Sequence, residues 1–402
     1  MPAPLVAADL EAAWRDGTRA LRDGRAEVAL GHLHRIVDAG RGDAAVWTAI
    51  AVAHRITGER AALRTALGQV LARDPRDLRA LVMSGDLFAA EGDSRAADAH
   101  YAAAVRIAET APPSDPGLRA EVARAADLSR RQAGEYADHL QRAMAAQDID
   151  RPAARRVRQA LDLLTGRQAL YLQQPRHFYF PELPQIAWAD RAAFPWLDRV
   201  EAATDAIRSD LTRLLEEDAA APASAFSPYL QQEANRPIFA ASSGLMGDPA
   251  WSAFYLWKGG VPQAENLARC PSVAEALADA PLCAIPGRTP SVLFSLLRPG
   301  THIRPHHGFT NARFICHLPL IVPDDCAMRV GAETRPWIPG QACVFDDSIE
   351  HEAWNRNPDR LRVVMIFDVW RPELSATERE LVSTLLQAVD SYGAAAAPAW
   401  EG

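Results

Sequence analysis

The sequence predicts an α+β protein, with an all-helical solenoid first and a β-rich domain with flanking helices after it. Three observations carry this. The opening hundred residues repeat themselves every 34 positions. From Ser291 onward, short apolar or alternating runs are separated by Pro, Gly, Asp and Asn, which suggests a sandwich or barrel. The length of 402 residues exceeds the roughly 250–300 at which single cores stop growing. The expected division is residues 1–165 helical, 166–392 β-rich and 393–402 a disordered tail.

In the first part Gly17, Ala51 and Gly85 share the period, as do Gly24, Gly58 and Gly92, and Leu33, Leu67 and Tyr101. That is the period of the tetratricopeptide repeat, in which small residues let two helices approach and a glycine turns the chain between them. Ala29, Trp47 and Ala97 occupy further repeat positions, and Pro75 ends the second of three units. Helices are expected to follow over 117–145 and 151–164, capping the array. Such arrays expose a concave face to peptides or partner proteins; the plainer alternative is a spacer or dimerisation arm.

Beyond Gly166 the chain turns aromatic and proline-rich (Phe178-Tyr179-Phe180-Pro181), and an amphipathic helix follows with Leu197, Val200, Ile207, Leu211 and Leu214 on one face. A loop is expected over 219–235, a strand over Trp251–Trp257 and a helix over 271–280. Strands are expected at 291–297, 314–322, 328–330, 341–345 and 361–370, then a helix over 376–391.

A net charge of −8 and the lack of a basic, aromatic-interleaved cluster exclude nucleic acid as a natural partner. No signal-like N-terminus and no run of about 18 apolar residues is present, so no membrane span and a cytoplasmic location are expected. The five cysteines are widely spaced without a Cys-x-x-Cys pair and read as reduced thiols; a Cys270–Cys283 bridge is the one disulfide considered.

The chemistry concentrates between Pro299 and Pro372. If the run around it is extended, His302, Arg304 and His306 share a face. His306 and His351 can supply two imidazoles from separate strands, the borderline ligands that a redox metal with open positions requires. Arg362, eleven residues past His351, has the fork geometry for a dicarboxylate. Taken singly, each of these residues has a packing or surface explanation.

The motifs together are more specific. Phe294-Ser295, Pro299-Gly300-Thr301-His302, Pro305-His306-His307-Gly308, Thr310-Asn311, His317-Leu318, Phe345-Asp346-Asp347-Ser348, Glu350-His351-Glu352-Ala353-Trp354 and Asp368-Val369-Trp370-Arg371-Pro372 occur in order. In them the chain resembles the aspartyl/asparaginyl β-hydroxylase family of Fe(II)- and 2-oxoglutarate-dependent dioxygenases. The resemblance implies a double-stranded β-helix of the jelly-roll or cupin kind, with His306 and His351 as iron ligands. It implies Arg362 and Ser295 at the distal carboxylate of 2-oxoglutarate, and His317 near that co-substrate's metal-binding end. Gly308 stands where the wider superfamily carries a third, carboxylate ligand, and glycine is usual there in this family. Trp257 and Arg313 fall near positions that line the active site.

The implied reaction couples decarboxylation of 2-oxoglutarate, with O2, to hydroxylation of an unactivated C–H. One departure bears on the substrate. Ile315 occupies the position where the animal peptidyl hydroxylases hold the substrate carboxylate with arginine. The leading expectation is hydroxylation of Asp, Asn or another residue in a peptide or protein gripped by the repeats. The same chemistry on a free amino acid or lipid acyl chain is the enzymatic alternative, and a non-catalytic repeat scaffold is the third. Oligomeric state is left open.

Overall fold

The structure, a computed structural model, describes residues 7–231 and 244–392 apart from 146, 148 and 150. The expected tail over 393–402 lies outside the described residues. The chain divides into two compact units, the first ending at Arg167 and the second starting at Gln168.

The first unit is helical: α1 (Ala7–Arg22), α2 (Ala26–Asp38), α3 (Ala44–Thr57), α4 (Arg60–Arg73), α5 (Leu78–Ala90), α6 (Ser94–Thr110), α7 (Pro116–Ala145) and α8 (Arg155–Leu164). The first six form three successive hairpins. Gly24, Gly58 and Gly92 turn them with φ of 74°, 78° and 82°, a left-handed conformation that glycine adopts without a Cβ penalty. Asp43 and Asp77 cap α3 and α5 by accepting from Val46 N and Ala80 N, so the helix starts share the period. The repeated small and large positions meet within each hairpin. A Cβ on Gly17 would stand 3.1 Å from Leu33, and one on Gly85 would stand 2.4 Å from the Tyr101 ring. Tyr101 Oη donates to Asp86 at 2.7 Å, and Asp86 takes two hydrogen bonds from Arg124 of α7, tying the third hairpin to the next helix.

The second unit holds β1 (Ser227–Pro228), β2 (Trp251–Lys258), β3 (Val261–Pro262), β4 (Val292–Leu297), β5 (Thr301–His306), β6 (Arg313–Ile321), β7 (Cys326–Val330), β8 (Glu333–Pro336), β9 (Cys343–Phe345), β10 (His351–Asn355) and β11 (Arg362–Trp370). They form two antiparallel sheets, one ordered β1-β2-β4-β11-β6-β9 with β3 beside β2, the other β5-β10-β7-β8. Helices α9 (Leu197–Ala202), α10 (Thr204–Ala220), α11 (Ala264–Arg269), α12 (Pro271–Ala276) and α13 (Ala376–Ser391) flank them. Within the expected loop over 219–235, α10 continues to Ala220 and β1 pairs with β2; the rest of that stretch from 232 lies outside the described residues.

Period-two alternation sorts the large sheet. Phe294, Leu296, Phe314, Cys316, Leu318, Val363, Met365 and Phe367 pack outward against α9, α10 and α12. The alternate residues Ser295, Ile315, His317, Arg362 and Ile366 face the small sheet and line the space between the two. There Trp251, Leu297 and Val364 meet Ile303, Met328, Val330 and Ala353. All five cysteines are free thiols, so the Cys270–Cys283 bridge does not form. No described helix is long and apolar enough to cross a membrane.

Gly85→Ala is expected to destabilise the helical unit by about 1–3 kcal/mol, because the new methyl overpacks Tyr101. Gly31→Ala within α2, where nothing lies within 4 Å, should stabilise it by about 0.5–1 kcal/mol. Chemical denaturation of the two variants side by side checks the contrast.

Candidate functional site

A cavity of about 100 Å³ lies between the sheets. His306 ends β5 and His351 begins β10, and the antiparallel register pairs them directly. Their ring centroids are 4.1 Å apart. His306 Nδ1 lies 2.8 Å from Arg304 O and His351 Nδ1 lies 3.1 Å from Ile349 O. A proton on each Nδ1 satisfies those carbonyls and leaves each Nε2 with a lone pair. Burial among apolar walls pushes the His306 imidazole down to about 3, aided by His351, and the His351 imidazole down to about 4. Both rings are therefore neutral near pH 7, the state in which imidazole binds metal.

The register also corrects the shared face expected for His302, Arg304 and His306. A bulge between His351 and Ala353 sets Ala353 opposite Ile303, so Ile303 and His306 line the cavity. His302 points outward, where its Nε2 meets Glu352 at 2.7 Å.

Beside the two imidazoles the chain leaves no room for a side chain at 308. A Cβ on Gly308 would lie 1.9 Å from Asp347 Oδ2, and Gly308 N donates to Asp347 O at 2.6 Å. Asp347 is buried, receives Arg313 Nη2 at 2.9 Å on Oδ2, and has no partner for Oδ1 among the described residues. Among the described residues no group of three His, Cys, Asp or Glu is arranged to hold a metal. The two imidazoles thus stand with no third side-chain ligand beside them among the described residues, and with an unpartnered carboxylate oxygen nearby.

Arg362 occupies the other end. It is 1 % exposed, its Nη1 reaches Ser295 O and Oγ at 3.3 and 3.4 Å, and its Nε has no partner. The Trp337 ring covers it, with the guanidinium carbon 4.4 Å from the ring centroid. Desolvation pulls its pKa down to about 10, and no carboxylate offsets this. His317 is buried beside it with Nδ1 unpartnered. A buried cation without a counter-ion is able to receive an anion.

His306, His351, Arg362, Ser295, His317, Arg313 and Ile315 are all brought to this cavity. Trp257 is not: β2 slips register between Tyr255 and Trp257, and the Trp257 ring joins the core on the opposite face. The tryptophan of β2 that does line the cavity is Trp251, whose Nε1 donates to Ser295 Oγ at 3.2 Å. Trp251 stands six residues before Trp257, so period-two spacing would have put both tryptophans on the cavity face; the bulge between Tyr255 and Trp257 removes Trp257 from it. Arg313 lines the wall but is neutralised by Asp347 and by Asp368 of β11. It therefore does not offer a free guanidinium in place of the arginine missing at Ile315.

Two facing sheets enclosing a pair of neutral imidazoles and an uncompensated buried arginine define a cavity able to hold a metal and an anion together. Residues 201–372 match the family model described as Aspartyl/Asparaginyl beta-hydroxylase, and this region of the chain is similar to that family. It is 34% identical over 186 residues to the ornithine lipid ester-linked acyl 2-hydroxylase of Rhizobium tropici, covering 46% of this chain and 60% of that protein. It is 37% identical over 133 residues to the aspartyl/asparaginyl beta-hydroxylase of Mus musculus, covering 32% and 17%. It is 30% identical over 219 residues to aspartate beta-hydroxylase domain-containing protein 2 of Xenopus tropicalis, covering 53% and 55%. The matched part thus spans between a sixth and three fifths of these relatives.

Gly308→Asp, which would restore a carboxylate at the position of the wider superfamily's third ligand, is expected to weaken metal binding at least tenfold instead of strengthening it. Its Cβ must displace Asp347, and with it Arg313. Anaerobic titration with Mn(II) measures the change, and a gain in affinity would show that Asp347 yields.

Proposed function

We propose that the protein is an Fe(II)- and 2-oxoglutarate-dependent hydroxylase whose two sheets form a double-stranded β-helix, acting on the C–H of an acyl or other aliphatic chain. The carrying observation is Arg362, a buried guanidinium with no carboxylate partner, on the same cavity as two neutral imidazoles. His306 and His351 would hold the metal through Nε2. Arg362, seated by Ser295 and covered by Trp337, would pair with the distal carboxylate of the co-substrate, and His317 would stand by its other end. The bound metal and co-substrate supply the oxidising chemistry. The residues would bind, orient and exclude water: Asp347 Oδ1, unpartnered among the described residues, would accept a hydrogen bond at the open side, and Arg313 fixes that carboxylate.

For the substrate, Ile315, Ile303, Met328 and Ile366 present an apolar wall, and Arg313 is already neutralised. This favours an aliphatic chain over an aspartyl side chain, whose carboxylate would be buried there unpaired. The similarity to a relative named as a lipid acyl hydroxylase supports the same reading. The three helical hairpins favour a second reading, in which the chain to be hydroxylated is an aliphatic residue of a peptide that the repeats bind.

His306→Ala is expected to abolish succinate formation while the fold survives, and Arg362→Gln to raise the KM for 2-oxoglutarate about 10–100-fold with metal affinity unchanged. Products from acyl lipids, free amino acids and Asp- or Asn-containing peptides, read for a gain of one oxygen by mass spectrometry, separate the substrates. Full turnover in His306→Ala would sink the site assignment.

The depressed imidazoles also set a pH dependence. With pKa values of about 3 and 4 they stay neutral well below pH 6.5, so protons do not compete for Nε2 until the medium is strongly acidic. Mn(II) affinity should hold nearly flat from about pH 8 to pH 5, whereas two ordinary histidines would lose affinity below about pH 6.5. Relative to unfolded histidines, the native state binds fewer protons between pH 6.5 and the folded values. Stability from this pair is therefore full above pH 6.5 and falls as pH drops through that window.

A further inference from the structure

Residues 172–180 run beside both histidine-bearing loops. Gln174 N donates to Ser348 O, Arg176 N to Gly308 O, and His177 N and Phe178 N to Phe309 O, at 2.7 to 3.1 Å. Asn311 clamps the segment by accepting from Phe180 N and donating to Phe180 O and Gln173 Oε1. Gly308 and Phe309 themselves line the cavity, so this segment forms part of its rim. The rim is rigid on its inner side and unusual on its outer side. Leu172 and Tyr179 are 48 % and 54 % exposed, a costly display of apolar surface on a fixed backbone. Between them Arg176 is exposed and makes no ion pair among the described residues.

Resting on the hydroxylase reading above, we propose that this rim is the headgroup site for an anionic amphiphile: Arg176 binds the acidic headgroup of a lipid, while Leu172 and Tyr179 contact the start of its acyl chain. The chain then enters the cavity along Ile315 and Ile366. Charge within the site supports the assignment. Among the cations lining or flanking the cavity, Arg313 is committed to Asp347 and Asp368, Arg288 to Asp390, and Arg329 to Glu350 and Glu352, while Arg362 lies at the cavity's far end. The anion-binding function absent at Ile315 is thereby moved from the cavity wall to its rim. That position suits a substrate whose charge lies several bonds from the carbon to be oxidised.

The test uses the full chain loaded with Mn(II), with dodecyl phosphate, dodecyl maltoside, inorganic phosphate and an acidic peptide as probes, the detergents below their micellar concentrations. Calorimetry should show dodecyl phosphate binding at least tenfold tighter than the maltoside or phosphate alone. Arg176→Gln should erase the preference for phosphate over maltoside, Arg176→Lys should keep part of it, and Leu172→Ser with Tyr179→Ser should weaken both detergents. A preference unchanged in Arg176→Gln overturns the proposal, as does an acidic peptide that competes as well as dodecyl phosphate. Mn(II) affinity and 2-oxoglutarate consumption without substrate, measured on the same variants, report on the hydroxylase reading separately. If those fail in the wild-type protein while the detergent preference stands, the reading of the centre falls and the rim remains.

Discussion

The antiparallel pairing of β5 with β10, with His306 opposite His351, is the constraint on which the site depends. Neither histidine is remarkable by itself, but directly opposed residues in a sheet have their Cβ atoms about 4.5–5.5 Å apart, and here the rings reach 4.1 Å. A slip of one residue would turn one ring to the outer face, where His302 already sits against Glu352. The register is held from both sides. β7 pairs with the other edge of β10, and the bulge before Ala353 absorbs the extra residue that brings His306 inward.

The large sheet supplies what the small one lacks. Its outward residues, packed on α9, α10 and α12, are almost wholly apolar, and its inward residues are charged or polar at intervals of two. The sheet is thus fastened to its helices by hydrophobic burial on one side. This leaves it able to carry Ser295, Arg362, His317, Arg313 and Asp368 in low-dielectric surroundings on the other. The cost is divided unequally. At one end Arg313 is balanced by two carboxylates, so the wall there is complete without a ligand. At the other end Arg362 has only Ser295 and the face of Trp337, and its desolvation is left uncompensated. A protein selected for stability alone has no reason to retain such a cation. The imbalance between the two arginines separates a completed structural ion pair from a buried cation left without a counter-ion.

Much of this was legible in the chain itself. The helical hairpins announced themselves because a 34-residue period in small and large residues is a packing statement, with Gly17 against Leu33 and Gly85 against Tyr101. The strands β4, β6 and β11 were visible as apolar runs, and α13 as a periodic one. What stayed hidden was register. β5 and β10 are short, with polar residues outward, and carry few of the apolar residues that mark a strand. Trp251 and Trp257, six residues apart, would share a face in a regular strand, and the bulge in β2 between Tyr255 and Trp257 turns Trp257 to the other one. Arg313 illustrates a different limit. A sequence shows that a cation is present but not that Asp347 and Asp368, 34 and 55 residues further on, will neutralise it.

The glycine at 308 brings these constraints to one point. With Asp347 Oδ2 where a side chain would begin, the backbone of the loop after β5 is drawn against the loop before β10, and Gly308 N is bonded to Asp347 O. That approach fixes the carboxylate that Arg313 holds and leaves its second oxygen free beside the imidazoles. It also positions Gly308 O to accept from Arg176 N, which carries the rim segment. The missing side chain is therefore a structural requirement: it lets two loops and the rim close around one centre, and an acid at 308 would separate them. The fold has no space for a side chain at 308, while an acidic oxygen is still supplied beside the imidazoles from the opposite loop.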